Sequence, residues 1–584
     1  MEGLTGAEVI VEFLIKAKIP YFIGYPGHTV TEILDIVYDK SKDSELETIL
    51  VRHEATAAFM ADGYFRVKHK PLAIWTHTGP GATNAITGVA TAFLDSSAML
   101  VFTGEPWSLY HGRGAYQEIY RNVDAELPSL FRPITKRVWQ VKGSDVKRLP
   151  EVLIRGYKLA ITGRPGPVLF DVTQEALVER AQVSVPSNLG SYIPSSRIGS
   201  DKDTISRAVE ILIKAERPII LAGGGALISE AWEEIEGLSN ILQAPVVTTI
   251  MGKSCFNEEK ELSLGIIGTW GTMPANKATR EADVILAIGT RFSETDSSSW
   301  LNGYTFSIPP TKLIQIDIDP YEIGKYYPVE LGIIGDAKTV LKQIIERISE
   351  ITQKARVKHE WLNNLLLAKK QWTEMVEEYS KREGDGVNPL SLIRKMMELL
   401  PSDGIVVTDV GNHQKWVAQQ FLAKRPLSTI TTMGFASMGF GPSASLGVKL
   451  AKRESPVVCV TGDGGFVMSS NVLATSFEYQ LPVIYVIFND FRLGSIYSLQ
   501  KNFYKGRIIA SEFKTKRGEP YNPDFTLLAK SYKCEGREIR NLEEFSKAFK
   551  EAISSDISYV LDVRIDKDAR LLPGGGTWIL PRRE

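Results

Sequence analysis

Short apolar runs alternate with stretches of helical spacing along most of the chain. Residues 455–465, SPVVCVTGDGG, predict a strand that ends in a glycine-rich turn, and residues 481–490, LPVIYVIFND, predict a second strand that ends in a polar pair. The segment between them, SSNVLATSFEYQ, has the length and composition of a helix, with Ser469 or Ser470 as its N-cap. A strand, a helix and a strand in this order form a right-handed unit with parallel strands.

The same alternation predicts an α/β fold of three doubly wound parallel-sheet domains, at residues 1–185, 204–350 and 388–565. Residues 184–203 are rich in Ser, Pro and Gly and predict a linker. The highly charged residues 352–385 have helical spacing and predict a connecting helix. The tail, 566–584, contains a Pro-Gly-Gly-Gly run that excludes regular structure, so it is either a loose end or an active-site cover. Trp578 and Ile579 are poorly suited to a disordered end and suggest the cover, and both alternatives stay open.

Composition and charge narrow the class of protein. The chain has 584 residues, too many for one core, and its net charge of −1 gives no field that would attract nucleic acid or an anionic membrane. Its scattered cysteines, Cys255, Cys459 and Cys534, fit buried thiols in a reducing compartment. Because no apolar stretch is long enough to span a bilayer, we expect a soluble, cytoplasmic protein.

Two carboxylates follow the paired strands at the same edge of the predicted third sheet. Asp463 and Asp490 would repel each other there unless a cation lies between them, and oxygen ligands of this kind suit Mg²⁺ bound to phosphate. Gly462, Gly464 and Gly465 would let backbone N–H groups approach a phosphate. The alternative is a pair of strand-capping turns with solvated aspartates. The second aspartate at a matching strand end favours a metal-diphosphate site.

Three motifs together carry a family resemblance. They are the metal-diphosphate stretch, VRHEATAAFMADGYFR at residues 51–66, and THTGPGATNAITGVATAFLDS at residues 76–96. With the three-block layout, they resemble the thiamine-diphosphate (ThDP) enzymes of the acetolactate synthase and pyruvate oxidase superfamily, and the subgroup pattern is similar to acetolactate synthase catalytic subunits. The resemblance implies a pyrimidine-binding first domain, a middle domain and a diphosphate-binding third domain.

The resemblance also implies roles for particular residues. Asp463, Asp490 and the backbone carbonyl of Arg492 would hold Mg²⁺, and Glu54 would hydrogen-bond with the N1′ atom of the cofactor pyrimidine and promote loss of the thiazolium C2 proton. Gln117 would face the substrate. The further cofactor-binding residues that it implies are Gly27, His28, Thr78, Gly79, Asn84, Gly411, Asn412, His413, Met438, Gly462, Gly464, Gly465, Gly494, Ser495 and Ile496. His53 and His77 are expected to be packing or hydrogen-bonding residues.

The middle block resembles the part of acetolactate synthase that binds FAD. In relatives this domain holds FAD, ADP or the adenine end of coenzyme A, or nothing, so the alternatives stay open. The turn from Gly223 to Gly225, Arg291, Asp317 and Asp319 are the candidate contacts.

The substrate is the least determined feature. Leu499 stands where acetolactate synthases usually have Trp, and Lys415 stands where they usually have Met. We expect decarboxylation of pyruvate and transfer of the hydroxyethyl unit to a second 2-oxo acid. The alternatives are a 2-hydroxyacyl-coenzyme A lyase or oxalyl-coenzyme A decarboxylase, and a sulfoacetaldehyde- or cyclitol-dione-type enzyme. An inactive binding subunit is disfavoured because Glu54 and both metal-site aspartates are present.

Two further expectations concern partners. Four cationic residues of the first domain could contact an anionic acyl-coenzyme A substrate. They are Arg113, Arg121, Arg132 and Lys136. The family resemblance implies an active site between the first domain of one chain and the third domain of another, hence a homodimer or homotetramer.

Overall fold

The computed structural model describes residues 3–121, 126–351 and 359–579. Three six-stranded sheets dominate it, and the paired strands within each of them are parallel. Helices flank each sheet, which confirms the α/β fold of three doubly wound domains. In these described residues, no helix is both long and apolar enough to cross a membrane.

The first sheet has the strand order β3-β2-β4-β5-β7-β6. Its strands are β2 (Tyr21–Gly24), β3 (Glu47–Leu50), β4 (Leu72–Thr76), β5 (Met99–Glu105), β6 (Arg137–Val141) and β7 (Pro167–Thr173), and a short antiparallel pair joins β1 (Leu4–Thr5) to β8 (Arg180–Ala181). Its helices are α1 (Gly6–Lys16), α2 (Thr31–Lys40), α3 (Glu54–Lys68), α4 (Pro80–Leu94), α5 (Glu126–Phe131), α6 (Leu149–Ile161) and α7 (Gln174–Val178). The central strands β4 and β5 are buried on both faces, which explains their continuous apolar runs.

The middle sheet has the order β11-β10-β9-β12-β13-β14. Its strands are β9 (Pro218–Ala222), β10 (Val246–Thr248), β11 (Ser263–Ile266), β12 (Val284–Ile288), β13 (Lys312–Asp317) and β14 (Leu331–Ile334). Its helices are α8 (Lys202–Lys214), α9 (Gly224–Ile228), α10 (Trp232–Leu242), α11 (Met273–Glu281) and α12 (Ala337–Ile351). The predicted connecting helix follows as α13 (His359–Ser380), and the part of that prediction at 352–358 lies outside the described residues.

The third sheet has the order β16-β15-β17-β18-β20-β19. Its strands are β15 (Ile405–Thr408), β16 (Thr429–Ile430), β17 (Val457–Gly462), β18 (Ile484–Asn489), β19 (Glu535–Ile539) and β20 (Tyr559–Arg564). Its helices are α14 (Pro389–Leu399), α15 (Asn412–Gln420), α16 (Phe440–Ala451), α17 (Asp463–Ser469), α18 (Val472–Glu478), α19 (Gly494–Phe503), α20 (Phe525–Ser531) and α21 (Leu542–Ile553).

The predicted N-cap at Ser469 or Ser470 is wrong. A first helix, α17, begins directly at Asp463 and ends at Ser469, and α18 then starts after Asn471. The Ser469 hydroxyl does not cap a helix because it donates instead to the carbonyl of Gly439 at 3.1 Å. The glycine-rich turn is therefore the start of a helix, and Asp463 lies at its positive end, where a carboxylate is favourable.

The first and third domains pack closely through α3 and α16. A Cβ atom at Gly63 would lie 2.2 Å from the carbonyl oxygen of Ala444, and one at Gly447 would lie 1.9 Å from that of Met60. These glycines allow the backbones of the two helices to come into contact.

The described part of the tail has no regular element, as the Pro-Gly-Gly-Gly run predicts, and it lies on the middle domain. Asn276 Nδ2 donates to the carbonyl of Gly574 at 2.9 Å, and Trp578 Nε1 donates to Glu294 Oε1 at 2.9 Å. Trp578 also packs edge-on against Trp270, with ring centroids 6.1 Å apart. Residues 580–584 of the predicted tail lie outside the described residues.

Candidate active site

The residues predicted for the site fall into two groups, one at the carboxyl edge of the first sheet and one at the carboxyl edge of the third sheet. At the first sheet they are Gly27, His28, Glu54, Thr78, Gly79, Asn84 and Gln117. At the third sheet they are Gly411, Asn412, His413, Met438, Gly462, Asp463, Gly464, Gly465, Asp490, Arg492, Gly494, Ser495 and Ile496. Among the described residues, no hydrogen bond joins Glu54 directly to Asp463 or Asp490.

The first group holds Glu54 in a fixed position. Helix α3 begins there because His53 caps it, with Ala55 N donating to His53 Nδ1 at 3.2 Å. Glu54 is 7% exposed, and Asn84 Nδ2 donates to its Oε2 at 3.0 Å. A Cβ atom at Gly81 would lie 3.2 Å from the other oxygen, Oε1, so the glycine leaves space beside it. Within the described ranges, Oε1 has no hydrogen-bonding partner of its own.

His77 connects the rest of the first group. Its Nε2 lies 2.6 Å from Gln117 Oε1, and its Nδ1 lies 2.8 Å from Thr29 Oγ1. The ring centroids of His28 and His77 lie 4.6 Å apart, and a Cβ at Gly27 would lie 2.4 Å from Cγ of His77. Burial lowers the pKa of His77, so a neutral ring donates from Nε2 to Gln117 and leaves the Gln117 amide N–H groups for another acceptor. The prediction that His77 and His53 are hydrogen-bonding residues is confirmed.

The turn after β4 fits tightly beneath the Gln117 loop. Gly79 has a φ of 54°, and a Cβ there would lie 2.0 Å from the Gln117 carbonyl oxygen, so no side chain is possible at this position. The buried Thr78 hydroxyl donates to Glu105 Oε1 at 3.2 Å. Burial raises the pKa of Glu105, and the nearby charge of Asp171 acts in the same direction. The first group therefore rests on a buried polar layer that the sequence analysis did not find.

Asp463 and Asp490 lie at the ends of β17 and β18, which are adjacent and parallel. Burial raises the pKa of Asp463 to about 6. Burial also raises the pKa of Asp490 to about 7, and the charge of Asp463 contributes. Two buried carboxylates that repel each other would be stabilised in their ionised forms by a divalent cation. The Arg492 side chain points away to stack on Tyr497, with its guanidinium carbon 3.9 Å from the ring centroid.

Asn522 completes this group, and sequence analysis missed it. Its Nδ2 donates to Asp463 Oδ2 at 2.8 Å and to Asn489 Oδ1 at 3.0 Å. It comes from the connection between α19 and α20. The amide therefore orients one of the two carboxylates.

The starts of α15 and α19 converge beside Asp490. Ser495 Oγ donates to Asn412 Oδ1 at 2.8 Å. A Cβ at Gly494 would lie 2.9 Å from Asp490 Oδ2 and 3.2 Å from Asn412 Nδ2, so glycine lets these groups approach each other. Lys415 Nζ reaches the same place, 3.1 Å from Ser495 Oγ, and burial lowers its pKa to about 8.

His413 lies on the first turn of α15 and is 6% exposed. Burial lowers its pKa to about 3, and its Nε2 has no hydrogen-bonding partner among the residues that the structure describes. Its ring lies close to two glycines, because a Cβ at Gly411 would be 2.5 Å, and one at Gly462 would be 3.3 Å, from its Cε1. A buried polar atom without a protein partner is costly, so this nitrogen is available to a ligand.

Asp409 fixes the backbone around Met438. Its carboxylate accepts hydrogen bonds from the N–H groups of Gly439 and Gly441, each at 3.1 Å, and a Cβ at Gly465 would lie 2.1 Å from its Oδ2. Met438 itself is only half-buried and belongs to none of the hydrophobic clusters, so it is not an ordinary core methionine.

Helix α19 has no buried residue, and its Ile496 is 46% exposed.

The two groups fit a diphosphate-bearing cofactor with a divalent ion. A carboxylate pair suits the ion, and an unpartnered His413 nitrogen with two converging helix starts suits the phosphates. At the other edge, the unpaired Glu54 oxygen suits a ring nitrogen.

A cavity of about 470 Å³ opens at the carboxyl edge of the middle sheet. Four of the candidate residues line it, namely Gly224, Gly225, Arg291 and Asp317, together with Arg164 of the first domain and Met433 of the third. Burial raises the pKa of Asp317 to about 6, while burial and the charge of Arg291 lower the pKa of Arg164. The volume lies within the range of ligand pockets.

One cationic residue expected near an anionic substrate has a structural role instead. Lys136 Nζ donates to the carbonyls of Leu159, Thr162 and Arg164 at 2.6, 2.8 and 2.7 Å. These three acceptors use all of its donors, so the expectation for Lys136 is wrong. The sequence could not show this because the carbonyls belong to a helix end and a turn more than twenty residues away.

Comparison with known proteins agrees with the geometry. Three family models match successive parts of the chain: thiamine pyrophosphate enzyme, N-terminal TPP binding domain, at residues 4–125; the central domain at 205–344; and the C-terminal TPP binding domain at 409–563. The chain is 37% identical to a probable acetolactate synthase large subunit of Methanococcus aeolicus, over 97% of this chain and 93% of that protein.

Similar proteins come from bacteria as well. The acetolactate synthase isozyme 3 large subunit of Escherichia coli is 32% identical over 99% of this chain and 98% of its own length. Similarity of this extent leaves no domain of the chain unmatched, and the matched regions include both edge groups. The chain belongs to the family of thiamine-diphosphate-dependent enzymes that includes the acetolactate synthase large subunits.

Proposed function

We propose that the chain is the catalytic subunit of an acetolactate synthase-type carboligase. In the proposed reaction one pyruvate loses CO₂ and its remaining two-carbon unit is joined to the carbonyl carbon of a second 2-oxo acid. With two pyruvates, the products are acetolactate and CO₂. The observation that carries the proposal is the full-length similarity to proteins with this name. The positions of Glu54 at the start of α3, and of Asp463 and Asp490 at two adjacent strand ends, support it.

ThDP would be held between the two groups, with Mg²⁺ bound by Asp463, Asp490 and the carbonyl of Arg492. His413, Asn412 and the start of α19 would contact the diphosphate. When bound, the cofactor supplies a nucleophilic carbon and a sink for the electron pair that decarboxylation releases.

Glu54 would hold and move a proton at the pyrimidine nitrogen. Asn84 fixes Oε2, so Oε1 is left to face the ligand. Gln117 would donate an amide N–H to an oxygen of the substrate, since His77 already occupies its carbonyl oxygen. Half-buried Met438, on backbone fixed by Asp409, would support the cofactor from the opposite side.

A nucleotide would occupy the cavity of the middle domain. Arg164 and Arg291 supply positive charge for phosphates, and buried Asp317 supplies an acceptor for a ribose hydroxyl. FAD, ADP and the adenine end of coenzyme A share these groups. An absorbance spectrum and mass spectrometry of the ligand released by mild denaturation would identify it: a flavin supports the carboligase, whereas coenzyme A supports the acyl-coenzyme A lyase.

We also propose that the enzyme is a homo-oligomer whose active sites combine the first domain of one protomer with the third domain of another. Helix α19 has no fully buried residue and its Ile496 is 46% exposed, which supports a covering surface from a second protomer. Sedimentation velocity of the purified protein tests this, and a monomer that retains full turnover would contradict it.

The substrate is tested by direct assay. Purified protein with ThDP and Mg²⁺ is incubated with pyruvate, and in parallel with a 2-hydroxyacyl- or oxalyl-coenzyme A thioester, and acetolactate or free acyl products are measured. We expect acetolactate from pyruvate alone. Glu54→Gln is the matched blank: it should abolish turnover by about a hundredfold or more while ThDP still binds, because it removes only the proton transfer. Product from the thioesters alone would overturn the proposed substrate.

A further inference from the structure

Lys415 brings an ammonium group to the place where α15 and α19 begin. Its Nζ lies 3.1 Å from Ser495 Oγ and 3.4 Å from Asn412 Oδ1. In the described part of the chain no carboxylate forms an ion pair with it. Lys415 is half-buried, and a partly desolvated cation without a counter-ion is costly, so the arrangement indicates an anionic ligand.

The neighbouring groups point to the kind of anion. The unpartnered Nε2 of buried His413 lies two residues before Lys415 on the same helix. Asn412, which accepts from Lys415, lies beside Asp490 across Gly494. The Asn412 amide therefore lies between the Lys415 ammonium and Asp490 of the carboxylate pair.

Charge balance explains why a cation is needed here. A divalent ion cancels Asp463 and Asp490, which leaves the diphosphate's own negative charge uncompensated by these groups. Lys415 is the cationic side chain within hydrogen-bonding distance of both Asn412 and Ser495. We propose that Lys415 binds the diphosphate of the cofactor directly and balances the charge that the metal leaves over. This rests on ThDP as the ligand, not on the proposed substrate.

Aromatic side chains cover the Lys415 ammonium and strengthen its attraction to an anion. Nζ lies 4.5 Å from the centroid of the Trp270 ring, a cation–π contact. Trp270 is in turn packed by Trp578 of the tail, which Glu294 holds through a 2.9 Å hydrogen bond. Two aromatic layers therefore limit water around the ammonium, and its attraction to a phosphate is screened less than at an open surface.

The test is ThDP binding, measured by calorimetry on cofactor-free protein with saturating Mg²⁺. Lys415→Met removes the charge and keeps an unbranched chain, and Lys415→Gln is a second neutral variant in case the first does not fold. Both should weaken ThDP binding about tenfold to a hundredfold, while Lys415→Arg should retain it. Exposed Lys424, paired with Glu259, gives the matched control Lys424→Met, which should have no effect.

A double-mutant measurement tests whether the charges of Lys415 and Asp490 compensate each other in ThDP binding. Asp490→Asn removes one negative charge and keeps an oxygen ligand, so adding it to Lys415→Met should restore a large part of the lost ThDP affinity. Binding of thiamine, which has no phosphate, should not differ between wild type and Lys415→Met.

Two results would overturn the inference. Unchanged ThDP affinity in both neutral variants, with a raised pyruvate KM, would assign Lys415 to the substrate carboxylate instead. An equal loss for thiamine and ThDP would mean that the substitutions only disturb the fold. The ThDP and thiamine affinities are measured without turnover, so these two quantities do not depend on which reaction the enzyme catalyses.

Discussion

Metal binding at the Asp463–Asp490 pair is expected to weaken about 20-fold when the pH falls from about 8 to about 6. Burial raises the pKa of Asp490 to about 7, with the charge of Asp463 contributing, and burial raises the pKa of Asp463 to about 6. A metal ion binds the ionised carboxylates, so protons compete with it. Because both pKa values are raised, this competition moves from strongly acidic pH into the neutral range.

The magnitude follows from the two pKa values. At about pH 6, Asp490 is roughly 90% protonated and Asp463 about half protonated, whereas at about pH 8 both are largely ionised. Protonation of Asp490 lowers the apparent metal affinity about tenfold and protonation of Asp463 lowers it about twofold, which together give about 20-fold.

The assay is titration of Mn²⁺ or Mg²⁺ by calorimetry into protein with ThDP, at several pH values. The matched variant is Asp490→Asn, whose amide oxygen remains a ligand but does not titrate, so only about a twofold loss should remain. The ratio between the two proteins removes the titration of the diphosphate itself. The same pH dependence in wild type and variant would refute the role given to Asp490.

Two further substitutions test the site. Asn522→Ala removes the amide that orients Asp463, and we expect metal affinity to fall about tenfold in the same titration; unchanged affinity would show that Asn522 is only a surface contact. Gly465→Ala would bring a Cβ within 2.1 Å of Asp409 Oδ2, and chemical denaturation should show a loss of about 1–3 kcal/mol in the free energy of unfolding. Its control is Gly237→Ala, where the nearest contact is 3.7 Å away; a similar loss there would contradict the steric argument.

The two ends of the site differ in how far the sequence predicted them. Asp463 and Asp490 follow apolar runs, and parallel strands bring such positions to one sheet edge whatever the remaining packing. Glu54 was identified through the family resemblance, and its burial and its contact with Asn84 are local consequences of α3 and α4. By contrast, the predicted cap at Ser469 was wrong because a carbonyl of another segment, that of Gly439, uses its hydroxyl.

The residues whose hydrogen-bonding partners the sequence did not reveal share one property. Asn522, Lys415 and His77 each have their decisive contacts with groups far away along the chain, namely Asp463, Ser495 and Gln117. A lone Asn, Lys or His has many solvated or packing interpretations, and periodicity does not distinguish them. Only the distances in the folded chain separate a ligand-facing side chain from an ordinary one.

The sequence by itself therefore determined the three parallel sheets, since apolar runs bounded by turns can be buried in few other ways. It also determined the positions of the carboxylates at strand ends. The tertiary structure alone decided how those carboxylates are oriented, which cation lies beside Asn412 and Ser495, and where the tail lies. The physical reason is that strand formation depends on local hydrophobicity and spacing, whereas hydrogen bonds and charge balance depend on which distant segments the packed domains bring within about 3 Å.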